Sequence, residues 1–254
     1  MNDWIAFETI IRKEITRFLR IWQQTLLPSV ITMALYLAIF GTFLGSRIDD
    51  MQGFSYIQFI VPGLIMMSVI TNAYTNVVSS FFSSKFVRSV EELLISPTSN
   101  FVIIMGYVLG GVLRGLLVGL LVTIVALFFT KLVVHNLLVI SMFILLTALL
   151  FSFAGMVNAI FARKFDDVNI IPTFVLTPLI YLGGVFYSIQ LLSGPWQILS
   201  KFNPILYMVN GFRFGFLGIS DIDVFLALAM IFLFTLVLFG VCLYLFKKGI
   251  GLRH

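Results

Sequence analysis

The sequence predicts an all-α integral membrane protein, and three observations carry that reading. Of its 254 residues, 60% are hydrophobic and 11% are charged, whereas a soluble domain carries about 25% charged residues. The mean hydropathy is +1.10. The apolar residues form continuous runs of membrane-crossing length, without the alternation in ~10-residue segments that a lipid-facing barrel needs.

The elements follow in order. Residues 1–25 form an amphipathic helix of their own. Trp4, Phe7, Ile11, Ile15, Phe18 and Trp22 recur every three or four residues and share one face, while Arg12, Lys13, Arg17 and Arg20 lie largely off it. An apolar stripe with aromatic ends and basic flanks suits a helix in the cytoplasmic headgroup plane. Packing against protein is the plainer alternative, and both can hold. The mixture of acids and bases here does not fit a cleaved secretory leader.

Residues 26–254 then form a six-span membrane domain. The expected spans are Leu26–Leu44, Phe54–Phe82, Phe101–Phe129, Leu137–Ala162, Val168–Ile189 and Val224–Phe246. A helix needs about 20 apolar residues to cross, so the longer runs are expected to tilt or extend. Formal charge enters these runs once, at Arg114. Eleven Lys and Arg residues fall on one side: Arg12, Lys13, Arg17, Arg20, Lys85, Arg88, Arg163, Lys164, Lys247, Lys248 and Arg253. Four fall on the other: Arg47, Lys131, Lys201 and Arg213. Basic loops face the cytoplasm, so both termini are expected there.

The net charge of +5 therefore reports topology and not nucleic acid, since no basic run with interleaved aromatics stands free of apolar context. Cys242 lies alone in an apolar run, so no disulfide or thiolate metal site is expected. No G-x-x-x-x-G-K-[ST] or H-E-x-x-H pattern occurs. His135 and His254 have no nucleophile at a defined spacing. Asp166 and Asp167 are adjacent, point apart on a helix and follow Arg163-Lys164, which reads as a solvated loop and not as a metal site.

Three features bear on function. Arg114 either faces an anion in a conduit or is a structural arginine bonded within the protein, and the structural role is the expectation. Gly106/Gly110 and Gly111/Gly115/Gly119 repeat at i, i+4 around it, and Ala34, Ala38, Gly41 and Gly45 form a similar stripe on the first span. Such stripes let membrane helices approach closely, within a subunit or between subunits. In loop 83–100, Phe86, Val90, Leu93 and Leu94 keep helical spacing with Arg88, Glu91 and Glu92 between them, until Pro97 stops the helix. This short helix either connects the spans in solvent or docks into a partner's groove. The stretch 190–221 is too apolar for an ordinary outer loop and is expected to dip back as short helices.

Taken together, these features resemble the permease subunits of ABC transporters of the second exporter class, which export drugs, polysaccharides and O-antigens. The likeness covers essentially the whole chain. It rests on Lys13-Glu14 with Arg17, Phe59-Ile60-Val61-Pro62-Gly63, Glu91-Glu92-Leu93-Leu94-Ile95-Ser96-Pro97, Tyr181-Leu182-Gly183-Gly184-Val185-Phe186-Tyr187, and Asn203-Pro204 through Arg213.

The resemblance implies a half-conduit in the bacterial inner membrane, pairing with a second copy and with two copies of a separate ATPase that binds the ATP. No cofactor is then held by this chain. It assigns the ATPase-coupling helix to Val87–Ile95, with Val87, Val90, Glu91, Glu92, Leu93, Leu94 and Ile95 as contact candidates. It also assigns the pathway to spans one, two and five. It does not identify the substrate. The rival readings are an ion-coupled carrier or channel, disfavoured by the lack of acidic residues in the apolar runs, and a membrane lipid enzyme, for which only Asp166-Asp167 is available.

Overall fold

The computed structural model describes residues 3–48 and 50–252, without the side chain of Ser46. Arg253 and His254, both named above, lie outside the described residues. Secondary structure there is helical, apart from one isolated antiparallel bridge between Met51 and Phe54.

Helix α1 (Asp3–Arg20) meets α2 (Trp22–Thr25) at a break around Ile21, where Thr25 Oγ1 donates to Phe18 O at 2.7 Å and clasps the corner. Helix α3 (Leu27–Tyr36) starts with Pro28 in its first turn, where a missing N–H costs nothing. It runs on as a π-helical segment, Leu37–Leu44. Helix α4 (Tyr56–Phe86) is the centre of the bundle. It leads through the left-handed Arg88 to the short α5 (Ser89–Ile95). Ser99 and Asn136 cap the next two helices, α6 (Asn100–Leu127) and α7 (Leu137–Phe161), through their side-chain oxygens.

Among the described residues, five helices are long and apolar enough to cross a membrane: Trp22–Leu44, Tyr56–Phe86, Asn100–Ala126, Leu137–Phe161 and Val224–Lys248. The last is α12, following α8 (Phe165–Ile171), α9 (Thr177–Tyr181), α10 (Gly194–Lys201) and α11 (Pro204–Leu217).

The expected span Val168–Ile189 differs from this pattern. Helical backbone begins at Phe165 and continues through a π-helical Pro172–Leu176 to Tyr181. At 1.5 Å per residue it covers about 26 Å. Gly184 at φ +71° then turns the chain back, and Val185 packs onto Gly63 of α4, where an added Cβ would meet Val185 O at 2.7 Å. Residues 182–187 therefore lie against the bundle instead of extending the helix.

The stretch 190–221 folds as short helices, as its apolar character requires. Helix α11 packs on α4, α7 and α12, and Arg213 within it is 1% exposed. Its guanidinium donates from Nη2 to Gly184 O at 2.7 Å and from Nε to Phe59 O at 3.3 Å, with its carbon 3.8 Å from the centre of the Phe59 ring. Arg213 thus ties α11 to α4 and is not a loop charge. Counting it with the outer loops was an error of burial, since nothing in local composition separates a clamp from a surface arginine.

Candidate functional site

The most polar part of the membrane bundle lies under α1. Ser68, Asn72, Asn76, Ser80 and Ser84 repeat every four residues on α4, so they stack on one helical face. All five are buried. At 1.5 Å per residue the row runs about 24 Å along the helix. Every rung has a partner from another helix or from the row itself.

At the α5 end, Ser84 Oγ accepts from Lys13 Nζ at 3.2 Å and from Tyr107 OH at 3.0 Å, and Lys13 also reaches Tyr107 OH at 3.1 Å. Ser89, the first residue of α5, donates to Ser84 O at 3.0 Å. The coupling-helix candidate is thereby bonded to the row's first rung. One turn along, Ser80 Oγ donates to Glu14 Oε1 at 2.5 Å. Glu14 Oε2 pairs with Arg17 Nη2 at 3.1 Å. Arg17 also donates to Asn76 Oδ1 at 2.8 Å and to Asn76 O at 3.2 Å. Next, Asn72 Oδ1 accepts from Arg114 Nη2 at 3.1 Å, and Arg114 also donates to Thr25 O at 2.9 Å. Asn72 Nδ2 bonds Ser29 Oγ of α3 at 3.0 Å and Ser68 O at 3.0 Å. The row therefore joins α5 to α1, α6 and finally α3.

Glycines make this approach possible. A Cβ at Gly106 would sit 2.6 Å from Ile10, and one at Gly110 would sit 2.5 Å from Glu14 Cβ. Those two seat α1 on α6. Gly111, Gly115 and Gly119 face α4 through Val77, Ala73 and Val69. Gly41 is buried against Ile57, and a Cβ at Gly45 would meet Phe40 O and Tyr56. In this structure all seven of the glycines named from the sequence face their own chain.

Helix α1 consequently has two working faces. Ile10, Glu14 and Phe18, four residues apart, are buried in the bundle, while Trp4, Ile5, Leu19 and Trp22 remain exposed. The aromatic ends of the sequence stripe are thus free to meet lipid while the next face packs on protein. The sequence reading named Glu14 in the Lys13-Glu14 and Arg17 motif but not as a buried group. A carboxylate in a polar segment reads as solvated, yet this one is 0% exposed. The signal was available in the Ser/Asn row of α4, which needs polar partners inside an apolar bundle.

The short α5 is anchored by Val90, which is 1% exposed, and it leaves Val87 and Ile95 at 69% and 85% exposed. Phe86 and Glu92 are exposed as well. Glu91, Leu93 and Leu94 are half-buried, the two leucines packing against the core. A groove of about 300 Å³ between α1 and α5 is lined by Thr9, Ile10, Lys13, Ser89, Glu92 and Leu93.

Nearby, Lys85 Nζ donates to Ile160 O at 2.6 Å and to Ala162 O at 2.9 Å, closing the C-terminal end of α7. Asp167 Oδ2 accepts from the backbone N–H groups of Arg163 at 2.8 Å and Lys164 at 3.0 Å, which hold its carboxyl below the usual range. It is a helix-start acceptor. His135 sits at the foot of α7 against Phe214, their ring centroids 5.4 Å apart.

Residues 5–217 match the sequence profile of the ABC-2 type transporter. The chain belongs to that family. It is 58% identical over 250 residues to the inner membrane transport permease YadH of Escherichia coli strain K12, with 98% of each chain covered. It is 25% identical over 232 residues to nodulation protein J of Rhizobium leguminosarum bv. viciae, covering 89% of this chain and 90% of the relative. Nodulation protein J of Neorhizobium galegae is 23% identical over 247 residues, covering 97% and 93%. With its membrane-length helices, this ABC-2 chain is a multi-pass inner-membrane permease. Membership in the ABC-2 family implies partnership with an ABC ATPase.

Proposed function

We propose that the chain is the membrane half of an ATP-driven exporter, in which two copies form the conduit and two copies of a separate ATPase dock on α5. The observation that carries this reading is the connection of α5 to the first span. Val87, just before α5, and Ile95, its last residue, stand exposed on either end of an anchored helix, and the first residue of that helix is bonded into a buried polar row that ends at α3. A push on α5 by a nucleotide-driven partner therefore has a packed, hydrogen-bonded route to a pathway-lining span. The lack of a G-x-x-x-x-G-K-[ST] pattern in the sequence supports a reading in which the partner binds the ATP.

In this reading the apolar part of the helical stretch 165–181, residues 168–181, enters the membrane as a short sixth crossing, with Asp166 and Asp167 at its cytoplasmic edge. Both termini and α5 are cytoplasmic. Cysteine at Ser193 should label with an impermeant reagent from outside spheroplasts, and cysteine at Ser89 only after the membrane is opened. The reverse pattern contradicts this topology.

An ion-coupled carrier is the second reading, favoured by Glu14 as a carboxylate within the bundle. Its pairing with Arg17 and its bond from Ser80 suit a structural ion pair better than a site that binds and releases cations. The exporter reading is tested by purifying the permease with its ATPase. Val87→Asp/Ile95→Asp should lose the ATPase and remain monodisperse in detergent. Full retention of the ATPase would remove α5 as the docking site.

A further inference from the structure

The outer flank of α1 carries a second polar feature that the buried row does not use. Thr9, Arg12, Lys13, Thr16, Arg17, Arg20 and Ile21 line a groove of about 590 Å³ along one side of the helix. Their positions follow helical spacing, so four cations and two hydroxyls face one space. No acidic side chain lines it. Glu14, the carboxylate in this part of α1, is turned into the bundle and is 0% exposed. Lys13 and Arg17 are held from behind by Ser84, Tyr107, Glu14 and Asn76. Arg12 and Arg20 are exposed, and their side chains have no hydrogen bond or ion pair among the described residues. Beyond the cations, Leu19, Ile21 and Trp22 expose apolar surface where α2 leads into the first span.

We infer that this groove binds the phosphate of an anionic phospholipid, with Arg12, Thr16 and Arg20 on the phosphate and an acyl chain over Leu19, Ile21 and Trp22. The inference rests on the proposed reading in which α1 lies at the cytoplasmic leaflet, whose surface is negatively charged. A lipid fits better than a soluble anion. The groove's walls are mostly the methylene stems of Lys and Arg plus Ile21, which cover hydrocarbon while their charged ends meet phosphate. Arginine suits this role because its planar fork takes two phosphate oxygens at once. The bound lipid would neutralise the cations gathered along this groove, which no acidic side chain lines. It would hold α1 onto α4 and α6 from outside the bundle.

The test uses the full-length permease in neutral maltoside micelles, so it does not depend on which way the protein faces in a membrane. Short-chain phosphatidylglycerol, short-chain phosphatidylcholine and inorganic phosphate are titrated separately, with binding read by native mass spectrometry and by melting temperature. Phosphatidylglycerol should bind at least about tenfold more tightly than phosphatidylcholine, whose choline ammonium cancels the phosphate charge and is repelled by the four cations of the groove, and millimolar phosphate should give no shift. Arg12→Gln/Arg20→Gln should abolish that preference. Both side chains are exposed and unpaired, so this variant should fold. Lys247→Gln/Lys248→Gln, which removes equal charge from the end of α12, should keep the preference.

Equal binding of the two lipids would overturn the proposal. So would an equal shift from inorganic phosphate, which would make the groove a site for a soluble anion, or an equal loss in the two double variants, which would make the effect general attraction. A wrong orientation would show instead in the cysteine labelling, with the lipid preference intact.

Discussion

Removing either partner of the Glu14–Arg17 pair should have unequal consequences, because the two ends are buried unequally. Glu14 is 0% exposed, while the Arg17 side chain is 28% exposed. Arg17→Ala strands a carboxylate in the bundle. An uncompensated buried charge costs about 3–5 kcal/mol, and here Ser80 and Asn76 still donate to it, at 2.5 and 3.5 Å. A loss of about 2–4 kcal/mol is the expected result.

Glu14→Gln keeps the shape and an acceptor for Ser80, and it leaves Arg17 bonded to Asn76 with a path to solvent. Its loss should be about 1–2 kcal/mol. Combining the two changes removes the stranded charge, so the double variant should be more stable than Arg17→Ala alone. At roughly 2–4 °C per kcal/mol for a chain of this size, Arg17→Ala should melt about 4–16 °C lower in detergent. The double variant should regain several degrees, read as the monodisperse fraction after heating. The pairing would be refuted if Glu14→Gln were the more damaging single change, or if the two effects simply added.

Arg114→Ala should lower the melting temperature by removing both bonds of Nη2, at about 1–3 kcal/mol, and Arg114→Lys should restore part of it by keeping the charge without the fork. ATPase activity per folded complex should change little in either variant, and selective loss of activity in a stable Arg114→Ala protein would make Arg114 a conduit residue. Gly110→Leu should unseat α1, so that a cysteine at Ile10, protected in the parent, labels on the order of tenfold faster; unchanged labelling would mean that the glycine is not the seat. Asp167→Asn should cost stability at neutral pH. The carboxyl's folded value lies below its ordinary 3.8, so its contribution is complete above that value and is lost as pH falls through the folded one. Melting curves of parent and variant should therefore converge in acid.

The long apolar helices were legible because continuous hydrophobic runs of 20 or more residues have few other uses. The segment 168–189 was legible as apolar but not in its geometry. Pro172, Pro178 and the Gly183-Gly184 pair sit inside one run, and whether such a run stays straight depends on Gly63 receiving Val185 from across the bundle. The polar row was half legible. Its spacing on α4 is periodic in the sequence, but its partners Lys13, Glu14 and Arg17 come from a segment that could face lipid, protein or both, and the sequence expected Arg114 to bond within the protein without fixing its acceptors.

Arg213 was misplaced for the same reason, since its acceptors at Phe59 and Gly184 are distant in sequence. Around α5 the spacing put Phe86, Val90, Leu93 and Leu94 on one apolar face. Val90, Leu93 and Leu94 pack inward on the core, whereas Phe86 is exposed together with Val87 and Ile95, which flank or end the helix.

The claim at the centre of this account is that α5 is where the permease meets its ATPase. The most direct measurement places a photo-activatable cross-linker at Ile95 in whole cells, with a second at the exposed Phe232 of α12. The captured chains are identified by mass spectrometry. Capture at Ile95 of a soluble subunit carrying a Walker A loop, lost on introducing Val87→Asp and absent from Phe232, is the predicted result. Contradiction would be a clean lane at Ile95 while the same ATPase co-purifies with the chain, because the subunit would then be docked elsewhere.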